Sequence, residues 1–327
     1  MNLKLLGSTG LRVTQLGLGG LFVSSFGGPF EQGKAAIKRA VALGINYIDT
    51  APGYANSEEV LGRVLEEIDA PLIISTKLGG RPQPFEPQNR DALMRSVEES
   101  LRLLKRDTID MLMIHEPDRP RQYDWWTDWE TVNGPVLELI RQLKRDGTIK
   151  ATGLGGTTAY ELAHIIRSGK FDVVLTAFNY SLLWREAEIE VLPAAKKLGM
   201  GIIAGSPLQQ GALARRYDQQ VNNGALWLSS PRRKQFKALY GFLDEINMPI
   251  VEASIRFVIS NPAIDCVLMG ARSAEEVEGN VAAIEKGPLP TDVLKRLEEI
   301  AALVPFRPFE EPFGLPFNSD YKGPGWA

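Results

Sequence analysis

The stretch Asn46-Tyr47-Ile48-Asp49-Thr50-Ala51-Pro52-Gly53-Tyr54 decides how this chain is read, because a short apolar run ends in a carboxylate and a phenol follows five residues later. Two later runs end in a similar way. Leu72-Ile73-Ile74-Ser75-Thr76 leads to Lys77, and Ile109-Asp110-Met111-Leu112-Met113-Ile114 leads to His115. Short apolar runs of this kind, bounded by turn formers, are strand signals. Taken singly, each polar residue has an ordinary role: Asp49 in a turn, Tyr54 as a half-buried aromatic, Lys77 on a surface, His115 as a structural strand-end residue. Their joint placement after the second, third and fourth strands carries the reading. Carboxylate, phenol, ammonium and imidazole at neighbouring strand exits form an acid–base set suited to moving a proton and a hydride at a carbonyl.

Outward from these runs the pattern alternates. Strands are predicted over 16–20, 47–49, 72–76, 109–114, 149–154, 173–177, 201–204 and 265–269, and helices over 34–43, 57–66, 90–104, 136–145, 159–168, 189–198, 250–260 and 274–284. Strands alternating with helical periods indicate βαβ units and a parallel sheet. Eight such units predict closure into a (β/α)₈ barrel, a fold of roughly 250 residues before insertions, and residues 1–327 are read as one domain. The first turn, Leu18-Gly19-Gly20-Leu21, is no dinucleotide fingerprint. Segments 3–6 and 11–14 flank Gly7-Ser8-Thr9-Gly10 and read as a hairpin able to plug the barrel floor. A further helix is predicted over 292–303. The tail from Val304 is irregular, its prolines interleaved with Phe306, Phe309, Phe313, Phe317 and Trp326. Two connections are long, 116–135 and 207–249, the second with a helix over 234–246, and long loops in compact domains are usually functional.

Composition narrows the class. A net charge of −3 argues against nucleic acid and anionic membranes as main partners. The single cysteine, Cys266, excludes an internal disulfide, fits a reducing compartment, and in its apolar run reads as a buried structural thiol. No signal peptide is recognised at the start, and no apolar stretch reaches the ~20 residues of a membrane helix. The expectation is a soluble, cytoplasmic protein, monomeric or homo-oligomeric. Two histidines and one cysteine without ligand spacing predict no metal site.

The chemistry follows from the residue types. Free tyrosine, with pKa about 10, is a weak acid and a weaker base near neutrality, and a neighbouring ammonium lowers that value. Lys77 supplies the ammonium, Asp49 holds Lys77, and His115 orients the substrate oxygen. The segments quoted above, with Leu6-Gly7-Ser8-Thr9-Gly10-Leu11-Arg12-Val13 and Gly270-Ala271-Arg272-Ser273, resemble the aldo-keto reductase family over essentially the whole chain. The resemblance implies an eight-stranded barrel and an NAD(P)(H)-dependent oxidoreductase, with Tyr54 as proton donor supported by Asp49, Lys77 and His115.

It also implies a cofactor site built from late loops, since barrel phosphate sites sit after the seventh and eighth strands and helix N-termini bind anions. The cofactor candidates are Gly20, Asp49, Asn179, Ser206, Leu208, Gly211, Gly270, Arg272, Ser273, Glu276 and Asn280. Ser273-Ala274-Glu275-Glu276 is also a capping box, which needs no ligand. Arg272 suits a 2′-phosphate, whereas Glu276 stands where many NADP-using relatives carry arginine. The reading leans to NADP(H), with NAD(H) next. Two departures from the family pattern stand out. Gly155-Gly156 replaces the Ser-Asn pair that holds the nicotinamide amide in many relatives, with Asn179 as the expected substitute. Gly205 replaces an aromatic that stacks on the ring.

For substrate, Tyr54, His115, Trp125 and Trp126 are the candidates. Flat aromatics beside Glu116, Asp118, Arg119, Arg121 and Tyr123 suit a sugar or sugar-derived aldehyde, and the tryptophans equally suit packing the long loop onto the barrel. Two alternatives remain: a non-catalytic nicotinamide-nucleotide-sensing subunit of the same fold, and a barrel hydrolase or lyase using Asp49 and Glu116 as paired carboxylates.

Overall fold

The computed structural model describes residues 1–306 apart from 82, 120–122, 226 and 227; Arg121 and the tail aromatics beyond Phe306 lie outside the described residues. Strands β1 (Leu3–Leu5) and β2 (Arg12–Thr14) pair antiparallel as a hairpin. Eight parallel strands then close into a barrel: β3 (Leu16–Gly19), β4 (Tyr47–Asp49), β5 (Ile73–Leu78), β6 (Ile109–His115), β7 (Ile149–Gly156), β8 (Val173–Ala177), β9 (Gly201–Gly205) and β10 (Cys266–Gly270). Around them lie α1 (Phe30–Ala42), α2 (Ser57–Leu65), α3 (Arg90–Leu104), α4 (Pro135–Arg145), α5 (Tyr160–Arg167), α6 (Glu186–Ile189), α7 (Val191–Lys197), α8 (Asp218–Asn223), α9 (Ser230–Glu245), α10 (Ile250–Ile259), α11 (Ala274–Glu285) and α12 (Thr291–Ala301). The fold is the (β/α)₈ barrel expected from the sequence.

The strands separate two cores. Their outward side chains join the helices in one apolar layer. Their inward side chains make a second cluster, in which Tyr47, Met111, Met113, Ala151, Val173, Ile203 and Cys266 meet Leu6 and Val13 from the hairpin. The hairpin therefore seals the floor. Full burial of Leu6 is worth about 1.5–3 kcal/mol. The seal is tight: Gly7 adopts φ +52°, and a Cβ there would lie 2.1 Å from the Gly201 nitrogen. Cys266 sits inside this floor, fully buried, and burial pushes its thiol pKa up.

Boundaries differ from expectation where backbone rules act. The helix predicted over 189–198 is found as α7, Val191–Lys197, with Pro193 in its first turn, where a proline is tolerated, and with the short α6 ending just before it. The helix predicted from 234 begins at Ser230, since Pro231 is well placed in a first turn. Lys77 and His115 lie within β5 and β6 rather than after them. No helix among the described residues is long and apolar enough to cross a membrane.

Candidate active site

Alternation along each strand sends every second side chain into the barrel. At the end opposite the hairpin, the inward positions are Gly19, Asp49, Lys77, His115, Gly155, Ala177, Gly205 and Gly270, one from each strand in turn. Three consecutive strands thus end in charged or titratable groups, and the other five in residues with little or no side chain.

The charged groups are deep. Asp49 is 1% exposed and Lys77 2%. Lys77 Nζ donates to Asp49 Oδ2 at 2.6 Å and to the Thr50 carbonyl at 2.8 Å. The other oxygen, Asp49 Oδ1, accepts from Ser75 Oγ at 2.6 Å, and Ser75 meets the Tyr47 hydroxyl at 2.9 Å. A buried ion pair is tolerable when its remaining hydrogen-bonding capacity is met in this way. Thr50 is itself held, donating to Ser57 Oγ at 2.7 Å, while Ser57 donates to the Gly20 carbonyl at 2.7 Å.

Tyr54, in the loop before α2, is half-buried beside this pair. Lys77 Nζ stands 4.7 Å from its ring centroid, and the His115 ring meets it edge-on at 5.7 Å. The electrostatics follow from that packing. Burial raises the Tyr54 pKa, the Lys77 charge opposes the rise, and Asp49 adds to it, leaving the phenol above its usual value. For Lys77, burial works against the proton, yet Asp49 and Tyr54 prevail and the ammonium is strengthened. His115 falls to about 3 through burial, with further contributions from Lys77 and Arg119. The imidazole is neutral across the physiological range and can offer a hydrogen bond but not a charge.

The sequence reading missed Ser75, Tyr47 and Thr50. Strand period two could have found the first two, since Ser75 shares a face with Lys77 and Tyr47 with Asp49. It also missed a brace on the outer side: Glu58, buried on α2, accepts from Thr76 Oγ1 at 2.6 Å and pairs with Arg81 at 2.7 Å. That brace ties the helix after Tyr54 to the strand that carries Lys77.

The structure redirects four expected site residues. Trp125 is fully buried and packs on Phe85, and its indole N–H donates to the His115 carbonyl at 3.2 Å. It fixes His115 from behind and presents no face to a substrate. Trp126 packs edge-on to Phe171, 6.4 Å away, and its indole N–H donates to the Pro117 carbonyl at 2.9 Å, which ties it into the loop. Asn179 is fully buried and donates to Thr176 Oγ1 and the Thr158 carbonyl, both at 3.1 Å. Thr176 points outward between the inward Leu175 and Ala177, so the Asn179 amide nitrogen serves the outer layer, while its buried oxygen has no hydrogen-bond partner among the described residues. Gly20 is buried against β4, where a Cβ would lie 2.6 Å from the Asp49 carbonyl oxygen. Asp49 is fully engaged with Lys77 and Ser75, which removes it as one of two carboxylates free to act on a substrate.

The late loops gather beside the small-residue side of the mouth. Ser206 takes φ +54° directly after β9, and Leu208 and Gly211 shape the turn that follows. Gly270 is exposed at the end of β10, and a Cβ there would lie 2.7 Å from the Phe22 ring. The Arg272 guanidinium lies 4.9 Å from the centroid of that ring. Ser273 caps α11 by accepting from the Glu276 nitrogen at 3.3 Å, while Glu276 reaches back to accept from the Arg272 nitrogen at 2.8 Å. Asn280 is buried on α11.

A barrel mouth with these groups can be compared with known proteins. The sequence profile of the Aldo/keto reductase family matches residues 15–302. The chain belongs to the aldo/keto reductase family. Among the family's curated relatives, L-galactose dehydrogenase from Arabidopsis thaliana is 27% identical, over 97% of this chain and 99% of its own. A protein named as a candidate voltage-gated potassium channel subunit beta in Schizosaccharomyces pombe is 27% identical, over 92% and 94%. A solved aldo-keto reductase from Bacillus halodurans, in its holo form, superimposes with a TM-score of 0.75 at 23% identity, covering 94% of this chain and 98% of that one, a likeness of fold.

Proposed function

We propose that this chain is an NAD(P)(H)-dependent oxidoreductase that interconverts the aldehyde of a sugar or sugar derivative and its alcohol, with Tyr54 as general acid and base. The observation that carries the reading is the buried Lys77 ammonium, bound to Asp49 at 2.6 Å and set 4.7 Å from the Tyr54 ring. Sugar chemistry is supported by the likeness to L-galactose dehydrogenase.

Nicotinamide nucleotides fit the small-residue side of the mouth. Side chains at Gly155 and Gly205 would crowd the place a flat ring would take. The Ser206–Gly211 turn and the α11 N-terminus, with Gly270, Arg272, Ser273 and Asn280, would hold the rest of the nucleotide. When bound, the nucleotide supplies the hydride to the carbonyl carbon or receives it in the reverse direction. Tyr54 donates its proton to the carbonyl oxygen during reduction and takes the hydroxyl proton during oxidation. Lys77 stabilises the tyrosinate left behind, Asp49 keeps Lys77 charged and fixed, and neutral His115 donates a hydrogen bond to the substrate oxygen. General acid–base help of this kind is worth about 10²–10⁴-fold. Arg272 favours a 2′-phosphate and Glu276, seated at the same loop, opposes it; their balance sets the preference for NADP(H) over NAD(H).

The likeness to a channel subunit favours a second reading, a nucleotide-binding subunit without turnover. Fluorescence titration with NADPH and NADH, followed by an aldose panel read by nicotinamide absorbance, separates the two. The oxidoreductase reading expects turnover that Tyr54→Phe cuts about 10²–10⁴-fold while nucleotide affinity changes little. Tight nucleotide binding with no turnover on any aldehyde or sugar would leave the second reading standing.

A further inference from the structure

Strand register on the charged side puts a serine at the centre of the buried groups. β4 and β5 run parallel with Asp49 beside Ser75 and Tyr47 beside Ile73. Inward side chains recur every second residue, so Tyr47 and Asp49 from β4 share one column with Ser75 and Lys77 from β5. Ser75 is its small member. It is fully buried, at a depth where barrel interiors favour bulky branched side chains. Valine there would bury more apolar surface; serine instead brings a hydroxyl.

Donors and acceptors fix one direction along the column. An ionised carboxylate only accepts, so the Ser75 proton goes to Asp49 Oδ1, 2.6 Å away. The 2.9 Å contact between Ser75 Oγ and the Tyr47 hydroxyl is therefore donated by Tyr47. Burial and then the Asp49 charge push the Tyr47 pKa well above the phenol value, which keeps that proton in place. A hydroxyl that accepts one hydrogen bond donates the next more strongly. Asp49 Oδ2 is left to Lys77 Nζ, at 2.6 Å.

We propose that Ser75 is a positioning residue for the reaction: its hydroxyl, held in turn by Tyr47, fixes the Asp49 carboxylate and through it the place of the Lys77 ammonium beside Tyr54. The assignment rests on the reading of Tyr54 as general acid and base and deepens it. Without the Ser75 hydroxyl, Asp49 can turn about its Cβ–Cγ bond, and Lys77 moves with it. Lys77 keeps its second acceptor, the Thr50 carbonyl at 2.8 Å, so the ammonium shifts without being expelled. The Asp49 charge is also less neutralised. Both consequences act on Tyr54 in one direction, since the Lys77 charge opposes the rise of its pKa and Asp49 adds to it. The groups that face Tyr54 are Lys77, Asp49, Glu116 and the neutral His115 ring. Of these, Ser75 hydrogen-bonds Asp49, so a change at position 75 reaches Tyr54 through Asp49 and Lys77.

The test compares Ser75→Ala, Ser75→Val and Ser75→Thr in aldehyde reduction. Threonine and valine share one shape, so the hydroxyl is what differs between them. Tyr54 ionisation is followed separately, without turnover, by NMR of tyrosine ring carbons, with Tyr54→Phe identifying the signal. In the alanine and valine variants kcat should fall about tenfold or more, with KM changed by less than about twofold. Tyr54 should become about a tenfold weaker acid, or stay protonated until the variant unfolds in alkali. Ser75→Thr should restore both. A structural role alone would lower the melting temperature of the alanine and valine variants and leave kcat and the Tyr54 titration as in the unmodified protein; that result would overturn the assignment. So would threonine and valine variants that behave alike, or a Tyr54 that stays protonated up to unfolding in every form. Absence of turnover in the unmodified protein would overturn the oxidoreductase reading, and the titration would still show whether Ser75 acts on Tyr54. Should the alanine and valine variants fail to fold, Ser75→Cys retains a weak donor. It should show both changes in smaller measure, and none at all would overturn the assignment.

Discussion

The two sides of the barrel mouth are built on opposite principles. From β4 to β6 the inward positions are Asp49, Lys77 and His115, while from β7 round to β3 they are Gly155, Ala177, Gly205, Gly270 and Gly19. The strand geometry is the same on both sides. The charged side spends its space on groups that must not move, each held by a partner: Asp49 by Ser75 and Lys77, Lys77 by Thr50 as well, His115 by the indole behind its backbone. On the small-residue side no inward position carries a side chain beyond Cβ, and neighbours approach the glycines, the Phe22 ring standing against Gly270. Glycine within a strand costs about 0.5–1 kcal/mol relative to alanine, and barrel interiors otherwise favour bulky branched residues. At the mouth, stability is given up on one side for small residues and on the other for buried charge. The floor also has strand glycines, but there the space is filled by side chains: a Cβ at Gly201 would lie 2.5 Å from Leu6 and one at Gly17 2.7 Å from the Tyr47 ring.

That contrast can be broken most severely at Lys77. Lys77→Met leaves Asp49 buried without its cation, a change that should cost about 3–5 kcal/mol, read by denaturant unfolding. The same variant removes the charge that opposes the rise of the Tyr54 pKa, so the alkaline limb of aldehyde reduction should move to higher pH and alcohol oxidation should weaken. Adding Asp49→Asn should recover much of the stability and none of the turnover. A double variant that regains activity would separate Tyr54 from the pair.

The small-residue side is challenged by filling it. In Gly205→Val, the new side chain meets only the flexible end of Leu175 at first contact, 3.0 Å from the Cβ. The fold should therefore hold its melting temperature, while nucleotide affinity by fluorescence titration should fall about tenfold or more, equivalent to 1.4 kcal/mol or more. Unchanged affinity would mean that the glycines serve packing alone. Gly156→Ala makes a useful contrast: its Cβ would meet Asp118 and Leu162 at 2.8 and 2.6 Å, so overpacking should cost about 1–3 kcal/mol, seen as a lowered denaturation midpoint.

The smallest effect is expected from His115. Its folded pKa of about 3 lies below the ordinary 6.5. As pH falls below 6.5, the unfolded chain takes up a proton that the folded chain refuses until about 3, so folding stability is lost progressively across that window. His115→Asn should flatten the slope of stability against pH there. The half-buried setting of the ring limits the size of the effect. An unaltered slope would show that the imidazole titrates freely.

Much of the fold was legible because its signals are local. β-Branched runs and turn formers marked the eight strands, and alternation with helical periods implied closure. The helix predicted over 189–198 is present as α7 and starts two residues later, because apolar periodicity does not mark where the turn before Pro193 begins. α8, with the sequence Asp218-Gln219-Gln220-Val221-Asn222-Asn223, carries too little apolar periodicity to announce itself. Trp125 and Trp126 read as sugar platforms from composition, but which face of a loop a tryptophan presents depends on what packs beneath it.

The chain alone determined the barrel, the hairpin that closes its floor, and the four groups that meet at its mouth, because strand period and strand order place those groups without knowledge of any distant contact. Only the tertiary structure decided that Asn179 turns outward and that Gly20 is a packing glycine beside Asp49. Those outcomes depend on which segments come to share a volume, and side-chain volume is settled between neighbours in space that lie tens of residues apart along the chain.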